Sequence, residues 1–276
     1  MEAVAPVTLV YMLWKLWDRD RFDGLGYAWT TTSIGIATLF VMHYINRAVV
    51  SPLLCAPSMS PIHLIVVVMA GLFNFVNASC LAGWLAGYTL ASSAFTNDIK
   101  GGLGGLILQS VGFLFFFGGL IGNMYSERCL FALRVQEVDR LEAKKRDKTT
   151  KNNKYHKVYV IPPAAGVFLS VLYPHYVFEW LEWLGFVLLG TAVFPSTQSV
   201  PESSHSSIAL VPWLVPFAFL ADKLCLPLPL PPLLFLVNAV ANMLPHARWG
   251  RKWYVDRFGE AAVAGRGAVI PWCQWL

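Results

Sequence analysis

A polar cluster at the end of a long apolar segment is the part of this sequence best suited to bind a ligand. No charged side chain occurs in residues 101–122. The cluster follows directly and consists of Asn123, Tyr125, Ser126, Glu127 and Arg128. A carboxylate and an amide at the edge of an apolar segment are costly unless they bind something. Since the most basic stretch of the chain comes next, we expect an anionic, water-soluble ligand to meet a membrane-embedded site here.

Two other motifs place polar groups at the ends of apolar segments. Tyr44, in the motif His43-Tyr44-Ile45-Asn46-Arg47, is either an interfacial anchor or a hydrogen-bond donor that faces a cavity. Glu179 and Glu182 are three residues apart and therefore share a helical face. They could complement the positive N-terminus of a helix, or they could hold a ribose or a basic loop. The residues alone leave these alternatives open.

The C-terminal region mixes basic and aromatic side chains. The interleaved residues are Arg248, Trp249, Arg251, Lys252, Trp253 and Tyr254. Guanidinium groups bind phosphate, and aromatic rings stack on bases. The same mixture also forms ordinary interfacial belts, so either interpretation fits.

The composition is that of an integral membrane protein. Hydrophobic residues make up 56% of the 276 residues and charged residues 13%, whereas soluble domains carry about 25% charged residues. Continuous apolar runs favour membrane helices over strands with a period of two. We therefore predict an all-α bundle of about six to seven transmembrane helices. The runs are Tyr27–Tyr44, Ile62–Leu90, Gly102–Asn123, Val177–Val193 and Pro227–Leu244, with shorter ones at Val4–Trp17 and Ile208–Leu220.

The basic residues predict the orientation in the membrane. The segment Arg134–Lys157 holds nine Lys or Arg and four Asp or Glu, and Arg248–Arg266 is also basic. Both segments belong on the cytosolic side by the positive-inside rule. An even number of crossings must then separate them, and Val177–Val193 and Pro227–Leu244 supply two. Alternatively, these segments only set the orientation of the protein in the membrane and contact anionic lipid headgroups, without binding a ligand.

The cysteines and glycines argue against several other kinds of site. Five cysteines and six histidines are dispersed, so the sequence predicts neither a disulfide framework nor a metal site. No strand precedes the glycines, which excludes a dinucleotide-binding loop of the Rossmann type. Small residues in membrane helices usually permit close helix packing. The glycines concerned are Gly101, Gly102, Gly104, Gly105, Gly118, Gly119 and Gly122.

The order of these motifs resembles the steroid 5α-reductase family of membrane NADPH-dependent enone reductases. The similarity runs from the motif at Tyr44 to the C-terminus. Enoyl-CoA and polyprenol reductases share much of the C-terminal pattern. The matching segments are Asn123-x-x-Ser126-Glu127-x-x-Leu130-x-x-Leu133-Arg134, Tyr159-x-Ile161-Pro162, Pro174 to Trp183, and Arg251-Lys252-Trp253-Tyr254 with Phe258, Arg266, Ile270 and Pro271.

The resemblance implies reduction of the carbon–carbon double bond of an α,β-unsaturated ketone in a lipophilic, 3-oxo-Δ4-steroid-like substrate. Hydride would pass from NADPH to the β-carbon. Tyr44 matches the family's ketone-binding Tyr, and Glu2 is the match to its ketone-binding Glu. Protonated Glu2 and Tyr44 would polarise the ketone. The match at Glu2 also implies that the family's first helix is missing, as in a fungal-type or N-terminally shortened member.

The resemblance further implies one membrane domain whose cytosolic loops close over the cofactor. Residues 1–133 would form the substrate-side helices and 134–276 the NADPH-binding loops and C-terminal reductase-like region. Glu127 replaces the usual Asp, and Trp249-Gly250 replaces a His-rich pair. The stretch Gly185–His246 is longer than the family's helical hairpin. The cofactor-binding residues would be Asn123, Glu127, Arg134, Tyr159, His175, Glu179, His246, Arg248 and Tyr254.

The implied location is the endoplasmic reticulum membrane, as a multi-pass monomer with basic loops and C-terminus in the cytosol. The lipophilic substrate would enter from the bilayer, membrane lipid would surround the protein, and nucleic acid is not an expected partner. Alternatives are an enoyl-CoA, polyprenol or terpenoid enone reductase of the same superfamily, or a membrane binding protein with impaired catalysis.

Overall fold

The structure is a computed structural model that describes residues 1–23, 31–59, 61–86, 103–144, 154–155, 158–193 and 230–273. The described residues form seven α-helices and no strand, which confirms the all-α class. A π-helix, Asn46–Cys55, follows the second α-helix, and a short 3₁₀ turn spans Gly166–Phe168. The α-helices are α1 Val4–Asp23, α2 Thr31–Ile45, α3 Leu64–Leu85, α4 Leu103–Lys144, α5 Pro174–Val193, α6 Leu230–Phe258 and α7 Glu260–Val263.

Three helical segments of the described chain are long and apolar enough to cross a membrane. They are Thr32–Cys55, Leu64–Leu85 and Leu103–Lys144. Five of the seven predicted apolar runs overlap α2 to α6, and Val4–Trp17 lies in α1. The run Ile208–Leu220 lies outside the described residues. These segments support the prediction of a membrane protein.

Two helices continue past the ends that the sequence predicted. The apolar run of α4 stops at Asn123, but the helix goes on to Lys144. Residues 123–144 contain neither Gly nor Pro and are rich in good helix formers, so nothing ends the helix at the polar cluster. The cluster therefore lies in the middle of a helix. Likewise α6 passes through Pro245 and reaches Phe258.

The contacts divide the chain into two compact units. The first unit comprises Met1–Val49, Ile62–Phe117 and Trp183–Val237. Its core contains a group of aromatic rings from α2, α5 and α6: Phe40, Tyr44, Trp183, Phe186 and Phe235. Helix α1 packs on α3 in this unit.

The second unit comprises Val50–Pro61, Gly118–Glu182 and Asn238–Leu276. Its irregular segments are held by Arg266, whose buried guanidinium donates to the carbonyl oxygens of Pro162 at 2.8 Å, Phe168 at 3.2 Å and Val263 at 2.9 Å. Burial lowers the pKa of Arg266, and the nearby Tyr254 opposes that shift. Arg266 Nη2 also donates to the Ala262 carbonyl oxygen at 3.4 Å. Because one cation serves four carbonyl groups, it ties the loop before α5 to the C-terminal turn.

Candidate functional site

Tyr44 lies buried in α2, and its hydroxyl meets a polar group that belongs to α3. The hydroxyl donates to Asn74 Oδ1 at 3.4 Å. The same amide donates from Nδ2 to the carbonyl oxygen of Met1 at 3.3 Å. Met1 directly precedes Glu2, so Asn74 connects Tyr44 with the peptide next to Glu2. The structure thus brings the segments of both predicted catalytic residues to one side chain.

Aromatic rings pack around Tyr44 within the first unit. Its ring centroid lies 4.7 Å from that of Phe40 and 6.4 Å from that of Trp183. Trp183 in turn meets Phe235 edge to face at 4.4 Å. A hydroxyl in such apolar surroundings interacts strongly with a partner because water does not compete for it.

In the second unit, Asn123 and Glu179 form a buried pair. Asn123 Nδ2 donates to Glu179 Oε2 at 3.1 Å. Asn123 Oδ1 has no hydrogen-bond partner among the residues that the structure describes. A buried amide oxygen without a partner is unusual in proteins. The pair therefore presents an acceptor that a ligand with an N–H group could use.

Close helix packing brings Asn123 to Glu179. A Cβ atom added at Gly119 would lie 2.6 Å from the carbonyl oxygen of Phe178 and 2.7 Å from the Cα atom of Glu182. One added at Gly122 would collide with the ring of Phe178. The helix-packing prediction is confirmed for these two glycines. Gly104 and Gly118 have open space beside them, and Gly101 and Gly102 lie outside the described residues.

Glu127 accepts a hydrogen bond from a residue that the sequence did not single out. Ser51 Oγ, in the π-helix Asn46–Cys55, donates to Glu127 Oε2 at 2.8 Å. Hydrogen bonds of a hydroxyl to a carboxylate are among the stronger ones in proteins. Since π-helical turns are rare and often occur at functional sites, this segment is part of the candidate site, and the role of Glu127 stays a prediction.

The Arg134 side chain contacts Tyr155, which follows α4 in the sequence. Its Nη2 donates to the carbonyl oxygen of Tyr155 at 2.8 Å, and its guanidinium lies 5.9 Å from the centre of that residue's ring. Within the described ranges, Arg134 Nε has no hydrogen-bond partner. One end of the guanidinium is thus anchored, while its buried Nε keeps a donor that no described residue uses.

His175 and Tyr254 belong to a group of stacked rings in the second unit. Tyr173 stacks on Tyr176 at 5.7 Å, and its ring lies 5.8 Å from His175 and 6.3 Å from Tyr254. The Tyr254 hydroxyl donates to the Val160 carbonyl oxygen at 3.3 Å. Burial raises the pKa of Tyr254 and of Tyr173. Both hydroxyls therefore remain neutral donors at physiological pH.

Gly250 makes room for this group of rings. A Cβ atom at Gly250 would collide with the hydroxyl and ring of Tyr173. The Tyr173 hydroxyl consequently lies where a side chain at position 250 would otherwise be. This explains how the second unit packs with Trp249-Gly250 in place of the His-rich pair that the resemblance led us to expect.

The basic residues of α6 face different surroundings. Arg251 is buried and donates to the Arg266 carbonyl oxygen at 2.9 Å and to Glu260 Oε1 at 2.8 Å. It is therefore part of the packing. His246 and Arg248 are exposed, and no contact in the described part of the chain joins them to Asn123 or Glu127. Tyr159 is also exposed; Arg257 lies over its ring at 5.4 Å.

Sequence reasoning overlooked two amides in α3. Asn74 and Asn77 are both buried in this otherwise apolar helix. The signal was available, because polar side chains inside an apolar span are functional candidates by default. Charged residues at the ends of apolar segments give a stronger signal of the same kind.

The described helices define an all-α membrane protein. The family model for 3-oxo-5-alpha-steroid 4-dehydrogenase matches residues 60–197, which is half of the chain. The chain belongs to this family, and the resemblance to the 5α-reductases is confirmed. The family match and the 5-alpha-reductase relatives support an oxidoreductase that acts on a CH–CH group. The matched region includes Asn123, Glu127, Arg134 and Glu179 but neither Tyr44 nor the residues of α6.

Three curated relatives cover most of the chain. An uncharacterised protein of Schizosaccharomyces pombe is 29% identical over 98% of this chain and 81% of its own length. The steroid 5-alpha-reductase DET2 of Solanum lycopersicum is 25% identical over 84% of this chain and 66% of its own length. The steroid 5-alpha-reductase DET2 of Arabidopsis thaliana is 24% identical over 89% of this chain and 71% of its own length.

Proposed function

We propose that this protein is a membrane-embedded, NADPH-dependent reductase of the carbon–carbon double bond of a lipophilic α,β-unsaturated ketone, with a 3-oxo-Δ4 steroid as the model substrate. The observation that carries the proposal is the buried Tyr44 hydroxyl, held by Asn74 among aromatic rings. Membership of the steroid dehydrogenase family supports the substrate class.

The residues of the second unit suit a nicotinamide dinucleotide. The acceptor Oδ1 of Asn123 could receive a carboxamide N–H, and the donor Nε of Arg134 suits a phosphate oxygen. Glu127, Tyr159, His175, Glu179, His246, Arg248 and Tyr254 are the remaining proposed contacts. When bound, NADPH supplies the hydride, and the protein supplies orientation and electrostatics.

Tyr44 would act by donating its single hydroxyl proton to the ketone oxygen, which would replace Asn74 Oδ1 as the acceptor when the substrate binds. Negative charge grows on that oxygen as the β-carbon is reduced, and a fixed donor stabilises it. Glu2, when protonated, would supply a second donor, which its position directly after Met1 supports. The rings of Phe40 and Trp183 would keep water away from the reacting ketone.

We further propose that the protein is a monomer of the endoplasmic reticulum membrane. The basic segments Arg134–Lys157 and Arg248–Arg266 would face the cytosol, where NADPH is available, and the substrate would arrive through the lipid. The long apolar helices support the membrane location.

A substrate panel tests the function. The full chain in lipid nanodiscs is mixed with NADPH and one of three compounds: testosterone, a trans-2-enoyl-CoA or a polyprenal. We expect NADPH consumption with the steroid enone, and mass spectrometry should find a product heavier by two hydrogens. If only the enoyl-CoA or only the polyprenal were reduced, the protein would be an enoyl-CoA reductase or a polyprenol reductase instead of a steroid enone reductase. No reduction of any of the compounds would contradict the reductase proposal and favour a binding protein.

Glu127→Ala should weaken the use of NADPH. Loss of a carboxylate that accepts hydrogen bonds is expected to raise the KM for NADPH about tenfold, while the KM for the enone stays within about twofold of wild type. Initial rates at varied NADPH and enone measure both constants. Glu142→Ala is the matched control, because Glu142 is exposed on the same helix. A rise in the enone KM alone would argue against a cofactor role for Glu127.

A further inference from the structure

Helix α3 carries two buried amide side chains, although a helix needs only apolar side chains to cross a membrane. Asn74 and Asn77 are 5% and 7% exposed, in a helix that is long and apolar enough to span a bilayer. Residues three apart in a helix are neighbours on one face. The two amides therefore form a polar pair about one turn long.

Both the oxygen and the nitrogen of the Asn74 side-chain amide form hydrogen bonds. It accepts from the Tyr44 hydroxyl at 3.4 Å and donates to the Met1 carbonyl oxygen at 3.3 Å. It thereby joins α2, α3 and the segment before α1. Asn74 thus holds the Tyr44 hydroxyl in place before the substrate binds, and the ketone oxygen would then replace Asn74 Oδ1 as the acceptor of the hydroxyl proton.

Asn77 differs from Asn74 because part of its amide is unused. Its Nδ2 is buried and has no hydrogen-bond partner in the parts of the chain that the structure describes. Polar groups that serve only to join membrane helices do so by hydrogen bonding across them. Asn77 Nδ2 makes no such bond among the described residues, although it lies one helical turn from Asn74, the partner of Tyr44.

We propose that Asn77 is a further substrate-binding residue, whose Nδ2 donates a hydrogen bond to a carbonyl oxygen of the lipophilic substrate, and that Asn74 is the positioning residue for Tyr44. The site then combines donors with the rigid apolar rings of Phe40, Trp183 and Phe235. Its ligand is an apolar, ring-containing ketone. The proposal deepens the reductase function and rests on it for the role of Tyr44.

Thermal denaturation with a pair of ligands that differ by one oxygen tests the role of Asn77. The probes are 5α-androstan-3-one and 5α-androstane, which cannot be reduced at a carbon–carbon double bond. They are added to the full chain in lipid nanodiscs with and without NADPH. We expect the ketone to raise the Tm of the wild type more than the hydrocarbon does. In Asn77→Leu this difference should become clearly smaller, because only the proposed donors Tyr44 and Glu2 then remain for the ketone oxygen. The ligand-free Tm should stay the same or rise, because the deleted donor had no partner.

Two further variants separate binding from folding. Asn74→Leu should lower the ligand-free Tm, because the Tyr44 hydroxyl and the Met1 carbonyl each lose a partner. It should also lower kcat for the enone while the KM stays within about threefold of wild type, which a merely structural role would not do. Asn242→Leu is the control, because Asn242 is exposed and bonds within its own helix, and it should keep the wild-type response to the ketone. If Asn77→Leu retained the full ketone response, or lost as much ligand-free stability as Asn74→Leu, the proposed role of Asn77 would be wrong. Absence of any ketone response in the wild type would also overturn it.

Kinetics distinguish this proposal from the reductase function itself. Asn77→Leu should raise the KM for a steroid enone about tenfold, with kcat within about threefold of wild type. The wild type could reduce no enone and still show a ketone-dependent rise in Tm that Asn77→Leu diminishes. That result would refute the reductase function but not the proposed ketone-binding site. An active wild type with an unaltered Asn77→Leu variant would refute only the binding site.

Discussion

The Tyr44→Phe variant is expected to turn over enone about 10²–10³-fold more slowly than the wild type. Removing one donor from a site of growing negative charge typically costs about 2.7–4 kcal/mol of transition-state stabilisation. The phenyl ring keeps the contacts with Phe40 and Trp183, so the lost hydroxyl accounts for the change. Steady-state rates at saturating NADPH measure the effect, which should fall mainly on kcat.

Tyr11→Phe is the matched control for this experiment. Tyr11 belongs to α1 of the same unit, but its side chain is exposed. The control should reduce enone at the wild-type rate. If Tyr44→Phe also did so, Tyr44 would not be the group that polarises the ketone.

Gly119→Val should strongly reduce the amount of folded protein. The new Cβ atom would be only 2.6–2.7 Å from the Phe178 carbonyl oxygen and the Glu182 Cα atom. Both neighbours are backbone, so no side-chain rotation can relieve the clash, and α4 must separate from α5. Overpacking costs about 1–3 kcal/mol or more. It would also pull Asn123, one turn further on, away from Glu179. Size-exclusion profiles and thermal denaturation of the solubilised protein measure the loss.

The adjacent residue supplies the control. Gly118 lies on the same helix, but a Cβ atom there would meet nothing within 4 Å. Gly118→Val should therefore give a wild-type profile. Equal losses in both variants would mean that glycine at 119 matters for the backbone of α4 rather than for its contact with α5.

The helices could largely be predicted from the sequence, but two of their ends could not. Apolar runs mark α2 to α6 because burial in lipid demands them. The run of α4 ends at Asn123, yet the helix continues, since its backbone hydrogen bonds do not depend on whether the side chains are apolar. Hydropathy thus indicates where the membrane ends, which is a different boundary from the end of the helix.

The candidate site was only partly predictable for a related reason. Asn123 and Glu179 were singled out separately, but their 3.1 Å hydrogen bond depends on the close approach at Gly119. Ser51 gave no signal of its own, and Asn74 gave only the general signal of a polar side chain inside an apolar span. Each is an ordinary polar residue until the fold places it beside Glu127 or Tyr44. Arg251 was predicted as one of a phosphate-binding or interfacial set, and its burial against Glu260 shows that neighbours in sequence can serve different purposes.

The π-helix Asn46–Cys55 makes this protein sensitive to chain length between Tyr44 and Pro61. Each of its turns holds about one residue more than an α-helical turn. Loss of a single codon here could be absorbed by reversion to the α form, but the residues that follow would rotate by about 100°. Ser51 would then no longer meet Glu127. We therefore expect homologues with one residue fewer in this stretch to have replaced both the serine and the glutamate. An alignment that shows the length of this stretch can test whether the two positions change together with it.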